Sequence, residues 1–135
     1  MDLKDSLQVS AAGLKAQGTR VRIIAENVAN AESTAITANG DPYRRKTVTF
    51  RDVMDRSSGV STVQVDKVGT DKAEFGLRYD PSNPGANAQG YVKTPNVKPL
   101  IEMMDLKQAQ RSFDANVSVI DTSKSMIQRT IDLLR

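Results

Sequence analysis

The side chains that carry most enzyme chemistry are missing from this chain. It contains no histidine and no cysteine. That removes the commonest general base, the commonest metal ligand, thiolate chemistry and disulfides. Ser123, Lys124 and Ser125 would be the nearest thing to a serine–lysine pair, but adjacent helical residues do not face each other, and Lys124 falls on the inner line of its helix. Asp80, Ser82 and Asn83 offer oxygens to a cation, yet Pro81 and Pro84 interrupt them and no closing glutamate follows. The glycines lack the spacings of phosphate-binding and dinucleotide loops. Arg44-Arg45-Lys46 is a basic run beside a loop with no aromatic stacking platform. It reads as a solvated face or as an ion-pairing surface for a neighbouring subunit. Nineteen basic against sixteen acidic residues give +3, too mild an excess to imply nucleic acid. The expectation is a protein that is no enzyme and has no metal, no cofactor, no small-molecule substrate and no nucleic-acid partner.

What the chain does contain is a seven-residue apolar repeat at each end. The first runs Leu7, Leu14, Val21, Val28, beside a line of small residues at Ala11, Gly18 and Ala25. The second runs Leu106, Phe113, Ile120, Ile127, Leu134, with Met103, Val117 and Ile131 alongside. This spacing makes a narrow stripe on a helix, which only another helix can cover. The first helix is predicted over 3–30, roughly 42 Å long, and the last over 97–134, roughly 57 Å. Asn30 is expected to end the first helix in the left-handed conformation, and Asn96 to cap the last, with Pro99 in its first turn. Gln110 and Lys124 interrupt the inner line, either to fix register or to reach water from its edge.

The middle has period two. Strands are expected over 43–50, 60–68 and 73–79, with a short one at 91–93. Gly69-Thr70-Asp71-Lys72 reads as a hairpin loop between the second and third, and 80–90 as a loop dense in Pro, Asn and Gly. With three Phe, three Tyr and no Trp, any core here is small. The predicted fold is α+β: long terminal helices pairing as a coiled-coil-like unit (1–34 and 95–135), with a small antiparallel β element between them (35–94). No stretch resembles a cleavable signal peptide or is long enough to span a membrane, which by itself suggests a cytoplasmic protein.

Several motifs follow one another along the chain. Asn27-Val28-Ala29-Asn30 closes the first stripe. Asn83-Pro84 is followed by Gly90-Tyr91 and Pro95-Asn96-Val97, then by Arg111-Ser112, Asn116 and Lys124. In this order the chain resembles the proximal rod proteins of the bacterial flagellar basal body, the FlgC type. It departs from the family pattern at Glu32 and at Gln128-Arg129, and lacks a glycine-containing tail after Arg135. The resemblance implies a structural subunit exported by the flagellar type III apparatus without a cleaved signal peptide, and located at the basal body in the periplasmic space. It also implies helical stacking with itself, with other rod proteins and with the basal-body adaptor protein. The expected subunit interface is Leu7, Leu14, Gly18, Val21, Val28, Leu106, Phe113, Val117, Ile120, Ile127, Ile131 and Leu134. The alternative reading is a non-filamentous coiled-coil adaptor or scaffold that binds a single partner protein.

Overall fold

A computed structural model describes residues 2–135. In order, its elements are α1 (Leu3–Ala29), β1 (Lys46–Asp55), β2 (Val60–Thr70), β3 (Gly76–Tyr79), β4 (Tyr91–Thr94) and α2 (Pro99–Leu133). The fold is α+β, with long helices flanking small antiparallel sheets, as the periodicities require. No described helix is long and apolar enough to cross a membrane.

Strand pairing differs from the sequence expectation. β1 pairs with β2, while β3 pairs with β4, giving two two-stranded sheets. The hairpin loop therefore lies at 56–59, not at 69–72. Gly59 supplies the left-handed residue this turn needs (φ 68°), and the Asp55 carboxylate accepts from the Ser57 N–H at 2.9 Å. Residues 69–72 hold the end of β2 and the segment leaving it, where the Asp71 N–H donates to the Arg45 carbonyl at 2.8 Å.

Both predicted helix caps also differ. Asn30 does not adopt positive φ. Its Nδ2 instead bonds back at 2.8 Å to the Glu26 carbonyl, which also accepts the Asn30 backbone N–H at 3.1 Å. Asn96 caps nothing; α2 begins at Pro99, and the Lys98 carbonyl accepts the first helical bond, from Glu102 N.

The chain forms two compact units, each drawn from separated stretches. One comprises Met1–Val21, Thr49–Lys67 and Lys107–Arg135; the other comprises Arg22–Val48 and Val68–Leu106. In the first unit α1 and α2 run antiparallel. Gly13 meets Asn116, Gly18 meets Phe113, and Arg20 Nη2 reaches Gln108 Oε1 at 3.5 Å. The contact is close: a Cβ on Gly13 would stand 2.9 Å from Asn116 Nδ2. Its buried positions are small or polar, namely Ser10, Gly13, Ala16, Thr62, Ala109 and Ser123. Small residues let helix backbones approach and exclude water without bulky side chains. The core of the second unit is Ile23, Ile24, Ala35, Pro42, Val92, Pro95 and Val97, surrounding buried Asn27 and Glu102.

Candidate functional site

Helical spacing alone places the predicted interface lines on α1 and α2, but the seam between the helices lies one step aside. On α1 the buried line passes through Ser10, Gly13 and Ala16. Leu7, Leu14, Gly18, Val21 and Val28 flank it half-buried, and Ala11 and Ala25 are exposed. On α2 the buried line is Glu102, Ala109 and Ser123, with half-buried Asn116 in the same heptad position. Leu106, Ile120 and Ile127 sit at its edge. Phe113 and Val117 are 37% and 36% exposed, Ile131 47% and Leu134 83%. The intrachain pairing thus uses small and polar side chains and leaves much of the larger apolar line on view. Gln110 and Lys124 face water, so they interrupt no inner line. Because Ser123 is buried and Lys124 exposed, the two also point to different sides of α2.

The second unit is organised by a polar anchor. Asn27 is 1% exposed and uses its whole amide. Oδ1 accepts from the Lys46 N–H (2.9 Å) and the Tyr43 hydroxyl (2.8 Å); Nδ2 donates to the Lys46 carbonyl (2.9 Å) and to Glu102 Oε2 (3.1 Å). Glu102, also 1% exposed, receives the Arg45 Nε on its other oxygen. Arg45 further pairs with Asp71 at 3.5 Å, and its backbone N–H donates to Asn96 Oδ1 at 2.8 Å. Asn96 Nδ2 donates to the carbonyls of Asp71 and Ala73. Burial pulls the Arg45 guanidinium down, but the bond to Glu102 and the charges of Glu102 and Asp71 outweigh it, so its pKa is raised. Burial likewise raises the Tyr43 hydroxyl.

The basic run is therefore absorbed within the unit. Arg44 lies 4.2 Å above the Phe75 ring and donates to the Asp71 and Ala73 carbonyls, Arg45 binds Glu102, and Lys46 Nζ binds Glu26 at 2.8 Å. All three cations have partners inside the unit, with the Lys46 side chain still 41% exposed. The Asp80–Asn83 oxygens are spent on local turns: Ser82 Oγ donates to Asp80 at 2.8 Å, and Asn83 Oδ1 accepts from Gly85 N at 2.9 Å.

The motif residues sort by role. Asn27, Asn96, Pro95 and Val97 build the anchor or the core beside it, and Asn30 ends α1. Asn83 and Pro84 lead into Gly85, where a Cβ would meet the Ala35 carbonyl oxygen at 2.1 Å. Gly90 has φ 84° and lies against the Tyr79 ring, whose edge packs on Tyr91. Val28 and Ala29 complete the last turn of α1. Ser112 accepts from Asn116 Nδ2 at 2.9 Å, while Arg111 and Lys124 are exposed. Tyr43 and Glu102 carry no local sequence signal of this role, and Arg45 stands out only as part of the basic run. The signal that would have found Glu102 is its heptad spacing from Ala109, Asn116 and Ser123.

The helix pair is closed by small residues, with its apolar lines left at the rim. The C-terminal stretch, residues 88–133, matches the family described as "Flagellar basal body rod FlgEFG protein C-terminal". Similarity to curated flagellar basal-body rod proteins FlgC spans nearly the whole chain. Identity is 50% to that of Agrobacterium fabrum, covering 98% of this chain and 96% of the relative. It is 38% to that of Bacillus subtilis (95% of each) and 40% to that of Salmonella typhimurium (98% of each). The class is that of flagellar basal-body rod proteins, and within it the chain belongs to the FlgC family. It is a structural rod subunit.

Proposed function

We propose that this chain builds the proximal rod, the drive shaft of the flagellum, by helical stacking through its terminal helices. Residues 1–34 and 95–135 form the helical rod core, and 35–94 the central region. Subunit contacts run along Leu7, Leu14, Gly18, Val21 and Val28 on α1, and along Leu106, Phe113, Val117, Ile120, Ile127, Ile131 and Leu134 on the last helix and its end. One observation carries this reading: Phe113, Val117 and Ile131 on α2, and Leu134 just past its end, remain at least a third exposed. At ~25 cal/mol per Å² of apolar area, covering a few hundred Å² of such surface favours association by several kcal/mol before ordering costs. Repetition along an open, heterologous contact then makes a filament.

The partners in this reading are copies of the chain, other rod proteins and the basal-body adaptor protein. The chain reaches the basal body in the periplasmic space through the flagellar type III export apparatus, without a cleaved signal peptide. Its role is mechanical, with no catalysis, cofactor, small-molecule substrate or nucleic acid. The family relationship favours this over a non-filamentous adaptor binding a single partner.

The test is Val117→Asp together with Ile131→Asp, both on the exposed line. Swimming and rod assembly should be lost, while the isolated protein keeps its stability within about 0.5 kcal/mol. Normal swimming would defeat the proposal. A closed, concentration-independent dimer in sedimentation would point back to the adaptor.

A further inference from the structure

We propose that Asn39-Gly40 is a site of spontaneous backbone modification, in which Asn39 converts through a succinimide to aspartate and isoaspartate. This inference stands apart from the rod reading. Asn39 is the one asparagine in the chain followed by glycine. Gly40 has no Cβ, so no side chain of its own hinders its nitrogen from approaching the Asn39 side-chain carbon. Asn39 and its neighbours Ile36, Thr37 and Ala38 are exposed, Ile36 to 89%.

The other asparagines are guarded. Val, Ala or Pro follows each of them, and Pro84 has no N–H to react. Each also has its amide in a hydrogen bond, as Asn27 has with Lys46 and Asn116 with the Ser112 carbonyl. Among the described residues no such bond holds the Asn39 amide.

In the reaction, the Gly40 nitrogen bonds to Asn39 Cγ and the Cγ–Nδ2 bond breaks. The Gly40 amide proton leaves with Nδ2 as ammonia. Water then opens the ring at one of two bonds. Cleavage between Cγ and the Gly40 nitrogen restores a normal backbone with aspartate. Cleavage between the Asn39 backbone carbonyl carbon and that nitrogen leaves isoaspartate, with the chain routed through the side chain.

One bond restrains the reaction: the Gly40 N–H donates to the Thr37 carbonyl at 3.0 Å across the turn. Thr37, Ala38 and Asn39 of that turn are exposed and Gly40 is half-buried, so it opens locally at small cost and sets the rate without blocking the step. Either product adds a negative charge beside Asp41, whose carboxylate binds Lys93 Nζ at 3.1 Å. Isoaspartate also adds a backbone carbon just before Pro42 and the Tyr43–Lys46 segment that holds the anchor.

The test is to incubate the whole folded protein in mildly alkaline buffer and map isoaspartate by enzymatic methylation and peptide mass. A parallel sample is kept in denaturant. Conversion at Asn39 in the folded sample is expected, with its loss in Asn39→Gln and in Gly40→Ala. Conversion only in denaturant, conversion in neither sample, or conversion at another asparagine first would overturn the proposal.

Discussion

Asn27 holds Lys46 by both sides of its backbone, accepting from its N–H and donating to its carbonyl, each at 2.9 Å. A side-chain amide thus does for the first residue of β1 what a neighbouring strand does further along. The remaining capacity of that amide goes to the Tyr43 hydroxyl and to Glu102, so all four of its hydrogen-bonding positions are filled. An unpaired buried donor or acceptor costs more than the bond it lacks is worth. The last turns of α1 and the start of β1 are therefore fixed in one register.

Replacing Asn27 with alanine strips partners from both Lys46 backbone groups at once. The expected loss is about 3 kcal/mol, read from urea unfolding of the isolated protein. Asn27→Asp should cost more, because its second oxygen would face the Lys46 carbonyl and the Glu102 carboxylate. An alanine variant as stable as the parent would mean that water replaces the amide without penalty.

Glu102 and Arg45 form the charged half of the same anchor, with the carboxylate 1% exposed. Removing one member leaves the other charge poorly compensated, so single changes should be worse than the sum of lost contacts suggests. Glu102→Gln is informative. Asn27 Nδ2 and Arg45 Nε are both donors aimed at different oxygens, and glutamine has only one oxygen to offer. A double-mutant cycle of Arg45→Met and Glu102→Leu should show a coupling of about 2 kcal/mol. Additive effects would dissolve the pair as an energetic unit.

These residues also show what was legible beforehand. Both helices follow from the 3.6-residue and seven-residue periodicities, because large apolar residues mark a helical face whatever covers it. The seam itself did not follow. Its residues (Ser10, Gly13, Ala109, Asn116, Ser123) are too small or too polar to register as apolar, so the eye falls on the flanking Leu14 and Ile120. Strand pairing is hidden from the sequence for a related reason. Gly69-Thr70-Asp71-Lys72 looks like a turn, but Asp71 is held in place by Asn96, Arg44 and Arg45 from distant parts of the chain. Long-range polar contacts leave no local pattern. Asn96 has the residue type of a cap and is used elsewhere because α2 starts late, at Pro99.

Acid should loosen the β1–β2 turn. The Ser57 hydroxyl and backbone N–H bonded to Asp55 hold its carboxyl down from the ordinary 3.8 to about 2. A depressed carboxylate pKa contributes stability that is fully present above the unfolded value and is lost as pH falls through the folded value. The window is therefore between the ordinary carboxylate range and about 2. NMR titration of Asp55 reads this directly, and Ser57→Ala should move the midpoint back toward 3.8. A midpoint unmoved by that change would remove the Ser57 hydroxyl as the cause.

Gly18 separates stability from assembly. It lies on the half-buried edge of α1, where an added Cβ would meet only the Phe113 ring edge at 3.9 Å, an ordinary contact. Gly18→Ala should therefore stabilise the isolated chain by about 1 kcal/mol through helix propensity. The same methyl intrudes on an open cleft of about 320 Å³ lined by Gly18, Val21, Gln110, Phe113 and Asp114. In the proposed rod that cleft receives a side chain from a neighbouring subunit, so the variant should melt higher yet swim less well. Gly13→Ala is the control. There the methyl must push aside Asn116 at 2.9 Å inside the helix pair, which offsets the propensity gain and leaves stability nearly level. Higher stability with unimpaired swimming in Gly18→Ala would show that the cleft is not a subunit contact, and would shift the interface toward Val117 and Ile131.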